Sequence, residues 1–85
     1  MPNPLHASHP AIATRLKRAD GHLRSVIAMV EDGRPCLEIA QQLQAVEKAI
    51  ANAKRTLIHD HMDNCLEADG LDMDRDELRA IARYL

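Results

Sequence analysis

Apolar residues recur at helical spacing over three stretches of this 85-residue chain. In the first stretch they step by three or four positions, at Ile12, Leu16, Ala19, Leu23, Ile27 and Val30. This periodicity predicts an amphipathic helix over about 10–32. Ser8 and Pro10 suit its N-terminal cap and first turn. Gly33, which favours a left-handed conformation, ends the helix, and Pro35 starts a new element.

A second, longer helix is predicted from Cys36 to Ala68, since this span contains neither glycine nor proline. Its apolar face comprises Leu43, Val46, Ile50, Ala53 and Leu57. A short third helix follows Asp74, which forms a capping-box pattern with Glu77. The apolar face of this helix comprises Leu78, Ile81, Ala82 and Leu85. The chain is therefore predicted to be all-α: one three-helix domain over 1–85, with a long second helix and a flexible tail over 1–9.

The composition favours helices that associate. The chain is 46% apolar but contains no Trp, no Phe and one Tyr, which suits packed helices better than an aromatic-centred core. Gly21 lies inside the first helix, where it costs about 1 kcal/mol relative to alanine, and indicates a close approach of another helix. A chain this short buries only about 60–65% of its unfolded surface, so we expect self-association to complete the core.

Several classes of protein are excluded by simple features of the sequence. No apolar run approaches the ~18–20 residues that span a bilayer, and the N-terminus lacks the order of a signal peptide. Two cysteines are too few for a disulfide scaffold, so we expect a cytoplasmic protein with reduced thiols and no membrane partner. A substrate cleft is hard to fit into this length, so an enzyme is not expected. The net charge of −2 means that nucleic-acid binding requires a local basic patch.

His61 and Cys65 lie four residues apart, which places both side chains on one face of the second helix. An imidazole nitrogen and a thiolate at this spacing suit a transition metal, although a surface histidine beside a buried cysteine fits the same pattern. Cys36 lies 25 positions before His61 on the same predicted helix, roughly 37 Å away at 1.5 Å per residue. One chain therefore cannot bring the three residues to one ion. An antiparallel pair of these helices from two chains brings them together, crossing near Ala49 and Ile50.

The remaining histidines differ in their expected roles. His6 and His9 lie in the predicted tail, where either one supplies a fourth ligand or both remain unengaged. His22 lies between Arg18 and Arg24 and is interpreted as a surface or DNA-facing residue. His59 points about 200° around the helix from His61 and cannot join the same ion.

Basic residues cluster in the first helix and midway along the second: Arg15, Lys17, Arg18, Arg24, Lys54 and Arg55. They form either a solvated face or a surface that contacts phosphates of double-stranded DNA, with an affinity that falls as salt rises. Recognition of single strands is not expected, because a single Tyr is the chain's one aromatic residue and gives no platform for base stacking.

Three segments resemble the CsoR/RcnR family of bacterial metal-sensing repressors. They are the run from Arg15 to Arg24 (RLKRADGHLR), the run from Arg34 to Val46 (RPCLEIAQQLQAV) and the run from His61 to Cys65 (HMDNC). The resemblance covers nearly the whole chain and is strongest to the nickel-resistance-associated branch. It implies an antiparallel dimer, a tetramer built as a dimer of dimers, and a metal-free form that binds operator DNA until an inducer releases it. Cys36, His61 and Cys65 fall on the family's core sensing positions.

One departure from the family pattern affects the inducer. The family's tail ligand position falls on Pro4, which has no coordinating side chain, and His6 lies two residues later. A Cys/His/Cys set suits Cu(I), whereas addition of His6 or His9 allows Ni(II), Co(II) or Zn(II). A different branch senses formaldehyde through a tail proline and the first cysteine, here Pro2 and Cys36. The remaining alternatives are a persulfide sensor that pairs the two cysteines and a metal buffer that does not bind DNA.

Overall fold

Three helices account for the regular structure of the described residues, as the apolar periodicity predicts. The computed structural model describes residues 8–67 and 75–85, and for 64–67 only the helical backbone is described. Helix α1 spans His9–Glu31, α2 spans Cys36–Glu67 and α3 spans Arg75–Ala82. The all-α fold class is confirmed, and no strand occurs within the described ranges.

Helix α1 begins slightly earlier than predicted. Ser8 occupies the N-cap position, but its side chain makes no capping hydrogen bond to α1, because its backbone is already helical (φ −84°, ψ −12°). The first helical bond runs instead from the Ile12 amide to the Ser8 carbonyl at 3.0 Å. His9 is the first residue of α1, so the last residue of the predicted tail over 1–9 belongs to the helix. Residues 1–7 of that tail lie outside the described residues.

The turn between α1 and α2 confirms the predicted role of Gly33. This residue has a φ of 70°, a backbone conformation that glycine adopts without a Cβ penalty. The Gly33 amide donates to the Val30 carbonyl at 3.1 Å and the Arg34 amide donates to the Met29 carbonyl at 3.0 Å. These two bonds form a Schellman motif, which satisfies the last carbonyls of α1 and reverses the chain. Arg34 then pairs with Glu38 of α2 at 2.9 Å, which raises the pKa of Arg34.

Helices α1 and α2 pack side by side as an antiparallel hairpin. The buried residues recur at intervals of seven on each helix, which is the spacing of knobs-into-holes packing. They are Ile12, Ala19 and Val26 on α1, with Val46, Ala53 and, off the seven-residue series, Ile58 on α2. Val26, which the predicted apolar face omits, is among the most deeply buried at 2% exposure.

The hairpin leaves seven of its eleven predicted apolar positions uncovered. Side chains that remain 37–56% exposed are Leu16, Leu23, Ile27 and Val30 on α1 and Leu43, Ile50 and Leu57 on α2. At 100° per residue, those of α1 fall within an arc of about 60°, as do those of α2. We call these seven residues the open apolar face. An exposed apolar surface of this kind on a small domain is typical of a protein–protein interface.

Helix α3 contacts α2 and is shorter than its predicted apolar face. It ends at Ala82, so Leu85, placed on that face by the sequence, lies beyond the helix and is 59% exposed. Residues 83–84 continue as a turn, and the Leu85 amide donates to the Ala82 carbonyl at 3.2 Å. Asp74 lies outside the described residues, as does the capping box that depends on it. In the part of the chain that the structure describes, no helix combines the length and apolar character needed to cross a membrane.

The prediction that Gly21 marks a close helix approach is wrong within the described part of the protomer. A Cβ built on Gly21 meets no atom of the described residues within 4 Å, because position 21 faces away from α2. The packing of α1 on α2 therefore does not compensate the cost of glycine at this position.

We expect Gly21→Ala to raise the free energy of unfolding by about 1 kcal/mol per chain, because alanine gains helix propensity at no steric cost. Gly33→Ala is the matched control and should lower it by about 1–2 kcal/mol, since alanine is strained at a left-handed position. Urea denaturation of the metal-free protein, at one fixed protein concentration, measures both changes. A loss of stability in Gly21→Ala would show that Gly21 lies against a second chain.

Candidate metal centre and nucleic-acid interface

Helix α2 holds the predicted metal ligands apart within one chain. Cys36 is its first residue and is exposed, while His61 lies near its other end with a side chain only 14% exposed. The helix runs without a break over 32 residues, so the two residues are separated by roughly 37 Å along its axis. The second helix is therefore continuous. The sequence-based prediction of a site shared between chains depends on that continuity.

His61 lines a cavity of about 210 Å³ to which all three helices contribute. The cavity is lined by His9 from α1, by Leu57, Ile58 and His61 from α2, and by Glu77 and Ile81 from α3. The Oε1 atom of Glu77 lies 3.8 Å from the Nε2 atom of His61. This separation is longer than a hydrogen bond, so Glu77 would orient the ring and leave Nδ1 for a metal only if the two atoms moved closer.

The tail histidines are placed unequally by the structure. His9 is exposed, and it lines the same cavity as His61 because α1 begins at this residue. His6 lies outside the described residues, and so does the side chain of Cys65, although the backbone of Cys65 is part of α2. Among the residues that the structure describes, no group of three His, Cys, Asp or Glu side chains lies close enough to hold a metal ion within one chain.

The donor atoms available to a shared site fit a thiophilic transition metal. Thiolates are ligands for Cu(I), and imidazoles suit copper, nickel and zinc. Cys36 is exposed and carries a free thiol, which leaves its sulfur accessible to a partner chain. Glu77, whose role the sequence analysis misses, would act as an outer carboxylate beside the histidine. The short helix α3 positions it, and only the packing of α3 on α2 reveals that proximity.

Arg15 and Arg18 line a groove between α1 and α2 with a volume of about 280 Å³. Its other lining residues are Ala19 and His22 of α1 and Ala49 and Asn52 of α2. Arg15 reaches across the groove, and its Nη1 atom lies 3.4 Å from Oγ1 of Thr56 as a hydrogen-bond donor. Arg55 borders the groove and donates from Nη1 to Oδ1 of Asn52 at 3.2 Å. We call this feature the basic groove.

The other candidate DNA-binding residues lie elsewhere on the protomer. Arg24 pairs with Asp20 at 3.3 Å, on the edge of α1 that faces away from the basic groove, and Lys17 is exposed on that same edge. Lys54 lines an apolar cleft beside α3 with Leu57, Ile58, Ile81 and Tyr84. The structure thus brings together Arg15, Arg18 and Arg55 but not Lys17, Arg24 or Lys54.

Two polar residues lie beside the arginines: His22, which the sequence interprets as a surface or DNA-facing residue, and Asn52, which the sequence does not single out. His22 follows Arg18 by four positions and Arg15 by seven, so helical spacing alone places all three side chains on one stripe of α1. Asn52 has no such signal, because its position depends on how α2 packs against α1. His59 is exposed on α2, which agrees with its predicted direction away from His61.

Comparison with known proteins identifies the family. A family model described as a metal-sensitive transcriptional repressor matches residues 8–84. The copper-sensing transcriptional repressor CsoR of Mycobacterium ulcerans is 39% identical over 62 residues, which cover 73% of this chain and 53% of that protein. CsoR of Mycobacterium tuberculosis (strain H37Rv) is 32% identical over 72 residues, covering 85% and 60%. CsoR of Bacillus subtilis is 40% identical over 55 residues, covering 65% and 54%.

The chain spans little more than half the length of these curated relatives. No solved structure matches it. The family model nevertheless extends over nearly all of the chain, from the N-cap of α1 to the turn after α3. On this match, together with the relatives that share about a third or more of their aligned residues with it, the chain belongs to the metal-sensitive transcriptional repressor family.

Proposed function

We propose that this protein is a metal-responsive transcriptional repressor. It binds double-stranded operator DNA in the metal-free form and is released when a metal ion binds between two chains, derepressing efflux or detoxification genes. The observation that carries this proposal is the unbroken helix α2, which separates Cys36 from His61 in each chain. Family membership supports the regulatory role, and a DNA-bound repressor acts in the cytoplasm of a bacterium.

An antiparallel dimer is the assembly that this separation requires. If two α2 helices cross near Ala49 and Ile50, Cys36 of one chain lies beside His61 and Cys65 of its partner at each end. Such a dimer also covers the open apolar face, to which Ile50 contributes at 45% exposure. Two dimers then form the tetramer that the family resemblance implies.

The first candidate inducer is Cu(I). Two thiolates, from Cys36 and Cys65, and the imidazole of His61 form a soft ligand set that this ion prefers. The M. ulcerans, M. tuberculosis and B. subtilis relatives are named as copper sensors. Glu77 of α3 lies 3.8 Å from His61, so a metal ion held by His61 would lie next to α3.

A specific observation favours Ni(II) or Co(II) as the second candidate. His9 lines the same cavity as His61, so a second imidazole is available beside the core ligand set. A four-ligand set with two nitrogens and two sulfurs suits Ni(II), Co(II) or Zn(II), and His6 of the tail offers a third nitrogen. Coordination geometry and the supply of metal, rather than affinity alone, would then select the inducer.

The basic groove is the proposed contact with the DNA backbone. Arg15 and Arg18 face it from α1, and Arg55 borders it from α2. Lys17, Arg24 and Lys54 lie outside it and would meet phosphates only if the assembled tetramer brings other edges of the chain to the duplex. Metal binding needs to favour the DNA-free conformation by only ~2–3 kcal/mol for a clear response.

A complementation experiment tests whether the metal site is shared between chains. Cys36→Ala and His61→Ala should each lose metal binding, but an unfolded and refolded equal mixture should recover it. Each mixed dimer regains one intact site, built from the Cys36 of one variant and the His61 of the other, so about one quarter of all sites return. Equilibrium titration with Cu(I) under anaerobic conditions measures the recovery. No recovery in the mixture would place the site within one chain.

Operator binding tests the regulatory function itself. Fluorescence anisotropy of the metal-free, reduced protein on its own upstream DNA should show binding that Cu(I) or Ni(II) reverses at about one ion per chain. Cys36→Ala should bind DNA as tightly as the unsubstituted protein but resist release, whereas His59→Ala, a matched exposed histidine, should respond normally. Tight metal binding without DNA binding would favour the alternative that the protein is a metal buffer. Release by formaldehyde alone would move the mechanism to Pro2 and Cys36.

Arg15→Ala should weaken DNA binding and reduce the slope of log K against log salt by about 0.9 for each phosphate that the protein no longer neutralises. Arg83→Ala is the matched control, since it removes an equal charge in the exposed turn after α3. Its salt slope should stay close to that of the unsubstituted protein. Equal effects of the two substitutions would show that net charge, rather than the basic groove, determines the affinity.

A further inference from the structure

His22 is the one titratable residue besides the two arginines among the described residues that line the basic groove. It is half-buried, and its Nε2 atom lies 2.7 Å from Oε1 of Gln42 on α2. This contact crosses from one helix to the other and holds the ring at the wall of the groove. Sequence spacing assigns His22 to the stripe of Arg15 and Arg18, but only the packing of α1 on α2 supplies its partner.

Because of the contact with Gln42, protonation of the ring decides whether its second nitrogen donates or accepts a hydrogen bond. Oε1 of Gln42 is an acceptor, so Nε2 of His22 donates to it. In the neutral ring Nδ1 is then an acceptor, and it becomes a donor only when the imidazole is protonated. A phosphate oxygen accepts hydrogen bonds and carries negative charge, so it selects the protonated ring.

The charges around His22 make the groove a site for an anion. Arg15 and Arg18 face it from α1, while α2 contributes Ala49, Asn52 and Gln42, none of which titrates. Arg55 of α2 borders the groove through its hydrogen bond to Asn52. Two acids close to His22 and Gln42 along their helices are already paired: Asp20 with Arg24 at 3.3 Å on α1, and Glu38, one turn before Gln42, with Arg34 at 2.9 Å. A third positive charge beside two guanidinium groups is favoured when an anion lies among them.

We propose that His22 is a proton-dependent phosphate contact, so that the basic groove holds the DNA backbone more tightly in mild acid than at neutral pH. This inference rests on the proposed DNA-binding function and adds a means of regulation to the same surface. Histidine is the side chain whose charge ordinarily changes between pH 5 and 8. Binding of DNA is therefore accompanied by proton uptake, and lower pH strengthens binding without any change in metal.

The test is the salt dependence of DNA binding at pH 6 and pH 8, measured by anisotropy on metal-free protein. The slope of log K against log salt should be steeper at pH 6 by about 0.9 for each His22 that engages a phosphate. His22→Gln should show the shallower slope at both values and His22→Arg the steeper slope at both. His59→Gln, the control, should keep the pH difference. A pH difference that persists in His22→Gln would overturn the proposal.

A merely structural contact between His22 and Gln42 gives a different result. In that case His22→Gln lowers the melting temperature but leaves the pH dependence of the salt slope intact, and the proposal is wrong. Circular dichroism of each variant separates a loss of folding from a loss of charge, and His22→Arg supplies a folded counterpart with a permanent charge.

A second measurement separates this proposal from the repressor function. Ring signals of His22 in NMR spectra should shift when inorganic phosphate is added at pH 6, and the shift should be smaller in Arg18→Ala. If phosphate shifts the His22 signals but the protein does not bind DNA, the proposed anion site at His22 is retained and the proposed repressor function is rejected. If the protein binds DNA but neither phosphate nor DNA shifts the His22 signals, the proposed role of His22 is rejected and the repressor function is retained.

Discussion

The continuity of helix α2 is the constraint on which the rest of the molecule depends. Its 32 residues contain neither glycine nor proline, so nothing interrupts the helical hydrogen bonds between Cys36 and His61. The helix thereby keeps Cys36 and His61, which would bind one metal ion together, too far apart to do so within one chain. Under the proposed function, such a chain would gain its sensing site only by pairing with another copy, and assembly would be a condition of function.

The same hairpin presents different chemistry on its two sides. The open apolar face occupies one side, where Leu16 and Ile50 remain 44% and 45% exposed, and the basic groove lies on the other. Burial of the apolar face between copies would leave the groove accessible to a large polyanion. Because both surfaces are formed by the same two helices, a metal ion that changed how the chains pack would, under the proposed function, also change how the grooves are spaced along DNA.

Sequence alone predicts the helices well, because their signals are local. Gly33 and Pro35 mark a turn whose backbone bonds the structure confirms, and the periodicity places α1 and α2 within one or two residues. Proximity between helices is what the sequence does not reveal. The sequence places Gly21 at a close contact, yet it meets none among the described residues. Glu77 beside His61 and Gln42 beside His22 depend on packing that no spacing rule encodes.

Disulfide trapping tests the central claim, a site shared between antiparallel chains, most directly. The role of Cys65 in that site stays a prediction, since its side chain lies outside the described residues. Reduced, metal-free protein would be oxidised mildly with diamide, and the products identified by non-reducing mass spectrometry with peptide mapping. If Cys36 of one chain lies beside Cys65 of its partner, the product is a covalent dimer joined by Cys36–Cys65 bonds. A monomer with an internal Cys36–Cys65 bond would contradict the account, because it requires α2 to break within a single chain.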